Sequence, residues 1–274
     1  MDAATAYAAR VDACTAQNAR VATPSGDRWA SRASLFRVDP RRTLEANTAT
    51  VAALVDPGDV LLDIGGGAGR VSLPIALRCR EVINIEPSPA MRDQFDAAAA
   101  EAAITNARCL AQGWPSAAAT ISGDVALVAN VTYFVRDIVP FVEALVRAAR
   151  KRVIISVWSV PPPTHAATLF ALLHGEPQER VPTHRELLPV LWDLGILPDV
   201  RLLPDPFRGS RQRPPTRDEA IALALQSANA EAVPGAPARI EANFDALFSA
   251  SPEGFIPRWI PNVRELLITW ETSR

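Results

Sequence analysis

The sequence has 274 residues, of which 49% are apolar and 21% are charged, a composition typical of globular rather than disordered proteins. This length allows one large α/β domain or a core domain with a cap. The formal net charge of −2 argues against capture of nucleic acid by bulk electrostatic attraction.

The three cysteines, Cys14, Cys79 and Cys109, are far apart and form no C-x-x-C pair. Their number and spacing predict neither a disulfide framework nor a cysteine zinc site, and they fit a reducing compartment. Charged residues interrupt the alanine-rich N-terminal segment, and no apolar run is long enough to cross a bilayer. We therefore expect a cytoplasmic protein that makes no membrane contact.

The first 55 residues contain three helical patterns, at 3–20, 28–36 and 39–54. Turn residues at 23–27 separate the first two. We predict that this part of the chain forms an N-terminal helical lid. Trp29 either belongs to the lid or is a core residue of these helices, and we favour the core position.

From residue 56 onward, strand and helix patterns alternate. Apolar runs predict strands at 60–64, 81–85, 107–111, 124–129 and 153–157, and helical patterns follow at 70–80, 87–103 and 138–150. Continuous apolar runs of this kind are typical of parallel strands that are covered on both faces. Their alternation with helices predicts a parallel sheet with right-handed crossovers.

After the three prolines at 161–163, this alternation stops. Helical patterns lie at 164–174, 184–194, 216–230 and 236–250, with candidate strands at 200–203 and 266–270. We predict that the late helices form an insertion between the last two strands and cover one edge of the sheet.

The stretch VLLDIGGGAGR, at 60–70, carries four glycines in five positions directly after the first predicted strand. Glycines at such a turn let backbone N–H groups reach a ligand and direct a helix N-terminus at it. The dinucleotide-binding motif G-x-G-x-x-G uses the same device, but its third glycine is Arg70 here. Asp63, two residues before Gly65, can order the turn and meet a bound ammonium through water. Glu86 ends the second strand about 20 residues later, at the spacing of an acceptor for ribose hydroxyls.

Three segments, VLLDIGGGAGR, INIEPSPAM and ALVANVTYFVRDIVPFVEAL, resemble the strand-end motifs of the Rossmann-like (class I) S-adenosylmethionine-dependent methyltransferases. The resemblance extends over about residues 58–158. It implies that S-adenosyl-L-methionine is the cofactor, bound by Asp63, Gly65, Gly66, Gly67, Gly69, Glu86, Pro87, Met91, Gln112, Gly113, Trp114, Asn130 and Val131.

Within this set, the resemblance assigns the glycines to the methionine part of the cofactor and Glu86 to the ribose. Pro87 and Met91 would pack near the adenine, and Asn130 would meet the ammonium group. Members of the family often have an acid at the end of the third strand, for the adenine amino group. This sequence has none there, so the Gln112 amide or a backbone group of Gly113 or Trp114 would replace it.

Catalytic side chains are harder to assign, because methyl transfer depends on alignment of the acceptor more than on side-chain chemistry. Residues 130–133, Asn-Val-Thr-Tyr, resemble the N-P-P-Y motif of amino-methylating enzymes but lack both prolines. Tyr133 is a candidate for shaping the acceptor site. Three histidines, His165, His174 and His184, follow the fifth strand, where an imidazole could act as a base.

Structural roles are the simpler explanation for these histidines, and Thr183 is expected to cap the helix that His184 begins. We retain His165 as a candidate and predict no metal site. An arginine-rich tract could bind an anionic acceptor or RNA, but we favour a solvated loop; its members are Arg201, Arg208, Arg211, Arg213 and Arg217.

We therefore predict an α/β, Rossmann-like, doubly wound fold with a mostly parallel seven-stranded sheet. Residues 1–55 would form the lid, 56–160 the cofactor-binding core, and 161–274 an acceptor-side part of the same domain. The expected function is methyl transfer (EC 2.1.1.-) to a small-molecule O, N or C acceptor, favoured by an aromatic lid of Trp29, Phe36, Phe170 and Trp192. The alternatives are a nicotinamide-dependent oxidoreductase and a non-catalytic S-adenosylmethionine-binding protein. The sequence leaves the acceptor and the oligomeric state open.

Overall fold

The computed structural model of the chain describes residues 2–21, 26–27, 29–30, 32–207 and 213–272. Arg208 and Arg211 of the arginine-rich tract lie outside the described residues, as do Arg28 and most of the turn at 23–27. Among the residues described, we find no helix with the length and apolar content that a membrane span requires.

Ten helices and nine strands are described. The helices are α1 (Ala3–Val21), α2 (Ala46–Ala52), α3 (Ser72–Ala76), α4 (Pro89–Glu101), α5 (Ile138–Ala148), α6 (Ala167–His174), α7 (His184–Asp193), α8 (Arg217–Ser227), α9 (Ala236–Ala242) and α10 (Phe244–Leu247). The strands are β1 (Val60–Ile64), β2 (Glu81–Ile85), β3 (Ala107–Leu110), β4 (Gly123–Ala129), β5 (Ala149–Trp158), β6 (Asp199–Phe207), β7 (Phe248–Ser251), β8 (Gly254–Pro257) and β9 (Val263–Glu271). Short 3-10 turns lie at Ala33–Phe36, Ser116–Ala119, Thr132–Phe134 and Pro162–Thr164.

Seven of the strands form one sheet in the order β3-β2-β1-β4-β5-β9-β6. The first five pair in parallel, whereas β9 runs antiparallel between β5 and β6. The chain order reverses between β1 and β4, and ligands of open α/β sheets bind at this point, outside the carboxyl ends of the strands. The predicted fold class is confirmed.

Apolar side chains cover both faces of the sheet, and successive strand residues alternate between them. Leu62 and Ile64 belong to the core on the side of α1, α5 and α7, whereas Leu61 belongs to the core on the side of α2, α3 and α4. Because every β1 residue is buried, a polar side chain in this strand costs free energy unless a partner compensates its burial. Asp63 is therefore the unusual residue of β1.

The N-terminal segment separates into parts that pack in different places. Helix α1 lies against α5 and α7, and the Tyr7 hydroxyl donates to the Thr132 carbonyl at 2.5 Å. Helix α2 packs on β6, where the Asn47 amide exchanges hydrogen bonds with the backbone of Asp205. Between α1 and α2, the helical structure found among the described residues is the 3-10 turn Ala33–Phe36. The helix expected at 28–36 is therefore shorter than the sequence pattern suggested.

We expected the insertion between β6 and β9 to cover one edge of the sheet, and in the structure its helices pack on α6. Its apolar core joins α8, α9 and α10 to α6, through residues such as Leu169, Ala224 and Ile240. The helix expected at 236–250 ends at Leu247, and the chain continues into the β7–β8 hairpin. Gly254, with φ of +124°, turns this hairpin where a Cβ would meet the Pro214 carbonyl oxygen at 2.5 Å.

At the amino-terminal edge of the sheet, Asp124 holds several elements together. Its carboxylate accepts from the Val60 N–H at 2.8 Å and from the guanidinium groups of Arg150 at 3.0 Å and Arg80 at 3.3 Å. Burial alone would raise the pKa of Asp124, but the hydrogen bonds from Arg150 and Val60 outweigh it and lower the pKa. The ionised form therefore stabilises the fold.

We predict that Asp124→Asn lowers the free energy of unfolding by about 1–3 kcal/mol at neutral pH, because the network loses its negative charge and one of its two acceptor oxygens. Folding lowers this pKa below its unfolded value of about 4, so the difference from wild type shrinks as the pH falls through the lowered pKa. Urea unfolding of both proteins at several pH values measures it. Asp12→Asn, which removes an exposed ion pair with Arg136, is the matched control. An equal effect of the two substitutions would contradict this account.

Candidate functional site

The glycine-rich turn joins the carboxyl end of β1 to α3. Gly65, Gly67 and Gly69 have φ angles of +68°, +57° and +75°, which side-chain-bearing residues adopt only with strain. The turn is held from one side by β2, because the Asn84 side-chain amide donates to the Gly67 carbonyl at 2.9 Å. Backbone groups of the turn are thereby fixed at the sheet edge where ligands of this fold class bind.

Gly66 is required for a different reason, which is lack of space. A Cβ at this position would stand 2.0 Å from Asp63 Oδ2 and 2.6 Å from Asn84 Oδ1. Both of those atoms are buried, so they cannot swing into solvent to make room. On the opposite side of the turn, the Val131 side chain approaches Gly65 so closely that a Cβ there would lie 2.7 Å from it.

Glu86, at the end of β2, connects the turn to the next helix. Its Oε2 accepts from the Gly67 N–H at 3.0 Å and its Oε1 from the Ser88 N–H at 2.8 Å. Burial raises the pKa of Glu86, and these two N–H donors partly oppose that effect. A carboxylate oxygen has more than one acceptor position, so both oxygens can still accept from vicinal hydroxyls.

Beneath the turn lies a group of buried polar atoms that make no hydrogen bond with the described residues: both carboxylate oxygens of Asp63, Ser72 Oγ and Asn84 Oδ1. Burial raises the pKa of Asp63 to about 7, opposed by the nearby Ser72 hydroxyl and reinforced by the charge of Glu86. Native proteins rarely bury polar side-chain atoms without partners, so this group is a candidate for contact with a bound ligand.

One side of the crevice is formed by an apolar cluster that includes the N-terminal segment. Met91, Ala68 and Ala33 are buried in it, and Trp29 and Phe36 pack against them. The Trp29 ring makes edge contacts with Phe36 and Phe134, at centroid distances of 5.7 and 6.2 Å. The favoured core position of Trp29 among the N-terminal helices is therefore wrong, because this ring lies against the glycine turn and α4.

Asp27, which the sequence did not single out, fastens this segment to the start of α4. Its Oδ2 accepts from the Ser88 hydroxyl at 2.8 Å and the Ala90 N–H at 3.3 Å, while its Oδ1 accepts from the Trp29 N–H at 2.9 Å. The Ser88 hydroxyl also accepts from the Met91 N–H as the helix cap. The sequence could not predict this contact, because nothing in the polar segment around Asp27 indicates that it binds the Ser-Pro start of a helix 61 residues later.

At the end of β3, the residues expected near the adenine have mixed environments. Gln112 and Gly113 are exposed, and so is Pro87 at the end of β2. The Trp114 indole N–H donates to the Phe141 carbonyl at 3.1 Å, so this ring packs on the α5 side. The exposed side-chain amide of Gln112 and the backbone of Gly113 are the groups left to face a ligand.

At the end of β4, Asn130 adopts a left-handed conformation with φ of +61°. Its N–H donates to the Ser156 carbonyl and its Oδ1 accepts from the Tyr133 hydroxyl, both at 2.9 Å. That hydroxyl also accepts from the Trp158 N–H. Burial raises the pKa of Tyr133, so the group stays protonated and engaged at neutral pH.

The three histidines do not come together. The His165 Nε2 bonds to the Val160 carbonyl at 2.9 Å, while the His174 Nε2 bonds to the Ala228 carbonyl at the same distance and its ring stacks on Phe170. His184 begins α7 behind the capping residue Thr183, as expected. In the parts of the chain that are described, no three His, Cys, Asp or Glu side chains gather as metal ligands.

We predict that Gly66→Ala lowers the free energy of unfolding by about 1–3 kcal/mol, because the added methyl group overlaps the buried Asp63 carboxylate. Thermal and urea unfolding measure the loss. Gly58→Ala serves as the control, since a Cβ at Gly58 meets nothing within 4 Å. Equal stability of the two variants would show that the turn does not lie on Asp63.

Comparisons with known proteins agree with this geometry. Residues 62–157, which contain the turn, Glu86 and Asn130, match the family model described as a methyltransferase domain. No curated protein sequence matches the chain.

Two solved structures extend the likeness to most of the chain. The YcgJ protein from Bacillus subtilis has 16% sequence identity and a TM-score of 0.54, covering 83% of this chain and 98% of that one. The BH2331 protein from Bacillus halodurans C-125 has 11% identity and a TM-score of 0.55, covering 84% and 98%. At these identities the likeness shows the fold. Residues 62–157 are thus similar to a methyltransferase domain, and the chain shares the Rossmann-like fold of these two structures.

Proposed function

We propose that this chain transfers a methyl group from S-adenosyl-L-methionine to a small-molecule acceptor at the carboxyl ends of β1, β2 and β4. The observation that carries the proposal is the single hydrogen-bonded unit of the glycine turn and Glu86. It presents bare backbone groups and a buried carboxylate to the same crevice. We keep the division into a cofactor-binding part, 56–160, and an acceptor-side part, 161–274, within this proposal.

The residues at the crevice fit the cofactor's chemistry group by group. Glu86 offers acceptors for two ribose hydroxyls, and the apolar cluster around Met91 and Trp29 suits an adenine ring. Asp63 lies directly beneath Gly66 without a hydrogen-bonding partner among the described residues. An ammonium group placed against the turn would compensate the buried charge of Asp63.

When bound, the cofactor supplies a methyl group already activated on a positively charged sulfur. The chain then has to align the acceptor and exclude water. Trp29, Phe36 and Phe134 form an aromatic wall that keeps water from one side of the crevice. The sequence makes Tyr133 a candidate for catalysis. Because its hydroxyl is committed to Asn130 and Trp158, we assign it as a positioning residue that holds the end of β4.

On the acceptor side, His165 keeps the properties that a base requires. Burial lowers the pKa of His165, so its imidazole is neutral at pH 7. Since the Val160 carbonyl can only accept, Nε2 carries the proton of that neutral ring. His174 and His184 we assign to structural roles.

The aromatic lid that favoured a small acceptor is smaller than expected. Trp192 is 55% exposed on α7, and Phe170 stacks on His174, so neither ring joins Trp29 and Phe36. A small acceptor is still supported by the formal net charge of −2, which argues against capture of nucleic acid by bulk electrostatic attraction. The three cysteines carry no disulfide, which supports a cytoplasmic location.

We predict that Glu86→Ala weakens binding of S-adenosylhomocysteine by about 1–3 kcal/mol, because a pair of charge-assisted hydrogen bonds to the ribose is lost. Calorimetric titration of the folded variant measures this change. Glu143→Gln, at an exposed position on α5, is the control for a lost carboxylate.

Unchanged affinity of folded Glu86→Ala would show that the ribose binds elsewhere. Tight binding of NAD(H) by the wild-type protein, with none of S-adenosylhomocysteine, would instead favour the oxidoreductase alternative. Release of S-adenosylhomocysteine with a library of small acceptors separates an enzyme from a protein that only binds the cofactor.

Asp63 gives a second, pH-dependent prediction. Folding raises its pKa from 3.8 to about 7, so the ligand-free protein loses stability as the pH rises between these values. Asp63→Asn should remove that part of the pH dependence. An ammonium group favours ionised Asp63, so wild-type affinity for S-adenosylhomocysteine should rise from about pH 6 to about pH 7.5. Urea unfolding across about pH 4–7 measures the effect on stability, and calorimetric titration with S-adenosylhomocysteine across about pH 6–7.5 measures the effect on affinity. If stability and affinity depended on pH equally in wild type and in Asp63→Asn, the assignment would be contradicted.

A further inference from the structure

Large apolar side chains are exposed mainly in one part of the described chain. Four of the six with the greatest exposure lie between the end of α7 and the middle of β6, and we call them the β6 edge patch: Trp192 (55% exposed), Leu197 (84%), Val200 (43%) and Leu202 (57%). Isolated exposed apolar residues are common, but several together mark an interaction surface.

Two residues of the β6 edge patch lie on the same apolar face of the sheet as the buried core. Val200 and Leu202 stand opposite Ile268 and Leu266 of β9, so all four side chains lie on the same face of the sheet. Ile268 and Leu266 belong to the core under α5 and α7. The apolar face therefore extends past the last helix that covers it and ends at the sheet edge.

Strand β6 is the last strand of the sheet and pairs only with β9. Among the described residues, contacts limit the length of its outer edge that could pair with another strand. Pro198 precedes the strand, and beyond Pro204 the Asn47 side chain bonds to the backbone of Asp205. Within the described part of the chain, no other strand pairs with the outer edge of residues 199–202, and unpaired edge backbone groups favour pairing with another strand.

The charged side chains of this part of β6 indicate which kind of strand could pair with it. Asp199 and Arg201 flank Val200, and both are exposed on the face opposite to Val200 and Leu202. Among the described residues neither of them forms an ion pair or a side-chain hydrogen bond. Two-fold symmetry requires residues of the same face to stand opposite each other, which leaves only a few possible registers.

We propose that β6 pairs antiparallel with β6 of a second copy of this chain, about a two-fold axis at Val200. In this register each Asp199 lies opposite the Arg201 of the other copy, so two ion pairs form across the axis. An axis at Arg201 would put two arginines opposite each other, and an axis at Leu202 would put Asp199 opposite Asp205. Of these three registers, only the one at Val200 is complementary in charge.

The contact buries the two Val200 side chains against each other and covers Leu202 and Trp192 at its margin. Because the paired stretch is short, we expect a concentration-dependent dimer rather than an obligate one. Strands β4, β5 and β9 lie between β1 and β6, so the contact is about 19 Å or more from the glycine turn. Dimerisation therefore leaves the crevice open, and it is independent of the proposed function.

Sedimentation of the full chain over a range of concentrations tests the proposal. Wild type should show a monomer–dimer equilibrium. The charge reversals Asp199→Arg and Arg201→Asp should each weaken dimerisation by about tenfold or more, since like charges then oppose each other. The double variant D199R/R201D should dimerise again, and so should an equimolar mixture of the two single variants.

Leu35→Lys, which removes an apolar side chain that is 67% exposed outside the patch, is the control and should dimerise as wild type does. Thermal unfolding confirms that each variant is folded. A wild-type protein that stays monomeric up to about 100 μM would overturn the proposal. So would single reversals that dimerise normally, a mixture that stays monomeric, or assemblies larger than a dimer.

Discussion

The Glu86 carboxylate holds two backbone N–H groups close together, although these groups would repel each other without it. The N–H groups of Gly67 and Ser88 both point at it, one from the glycine turn and one from the start of α4. Each N–H carries a partial positive charge, and the carboxylate holds the two together. The crevice exists because this one acid, with Asn84 beside it, fixes the turn on the end of β2.

The central fold was predictable from sequence because its signals are local. Strands β1 and β2 lie where their mainly apolar runs predicted them, since a strand buried on both faces needs apolar residues at most positions. The glycine turn and Glu86 follow these strands directly in the chain. Their spacing indicated two parts of one binding site, and in the structure Gly67 and Glu86 also share a hydrogen bond.

Other features depend on contacts between distant parts of the chain, and the sequence could not supply them. Trp29 packs on Met91 and Phe134 because Asp27 binds the start of α4, 61 residues later in the chain. The burial of Asp63 beneath Gly66 depends on the position of β2. The insertion contains helices as its pattern predicted, although the helix expected at 236–250 is divided into α9 and α10 and ends at Leu247. Periodicity does not tell which neighbour an apolar helix face will cover, and here these faces cover α6.

The most direct test of this account is a crystal structure of the protein with S-adenosylhomocysteine. The account predicts that the ribose hydroxyls bind the Glu86 carboxylate and that the amino-acid group lies against residues 65–69, above Asp63. Density for this molecule at any other place on the protein would contradict it, as would a crevice that binds a different nucleotide in preference.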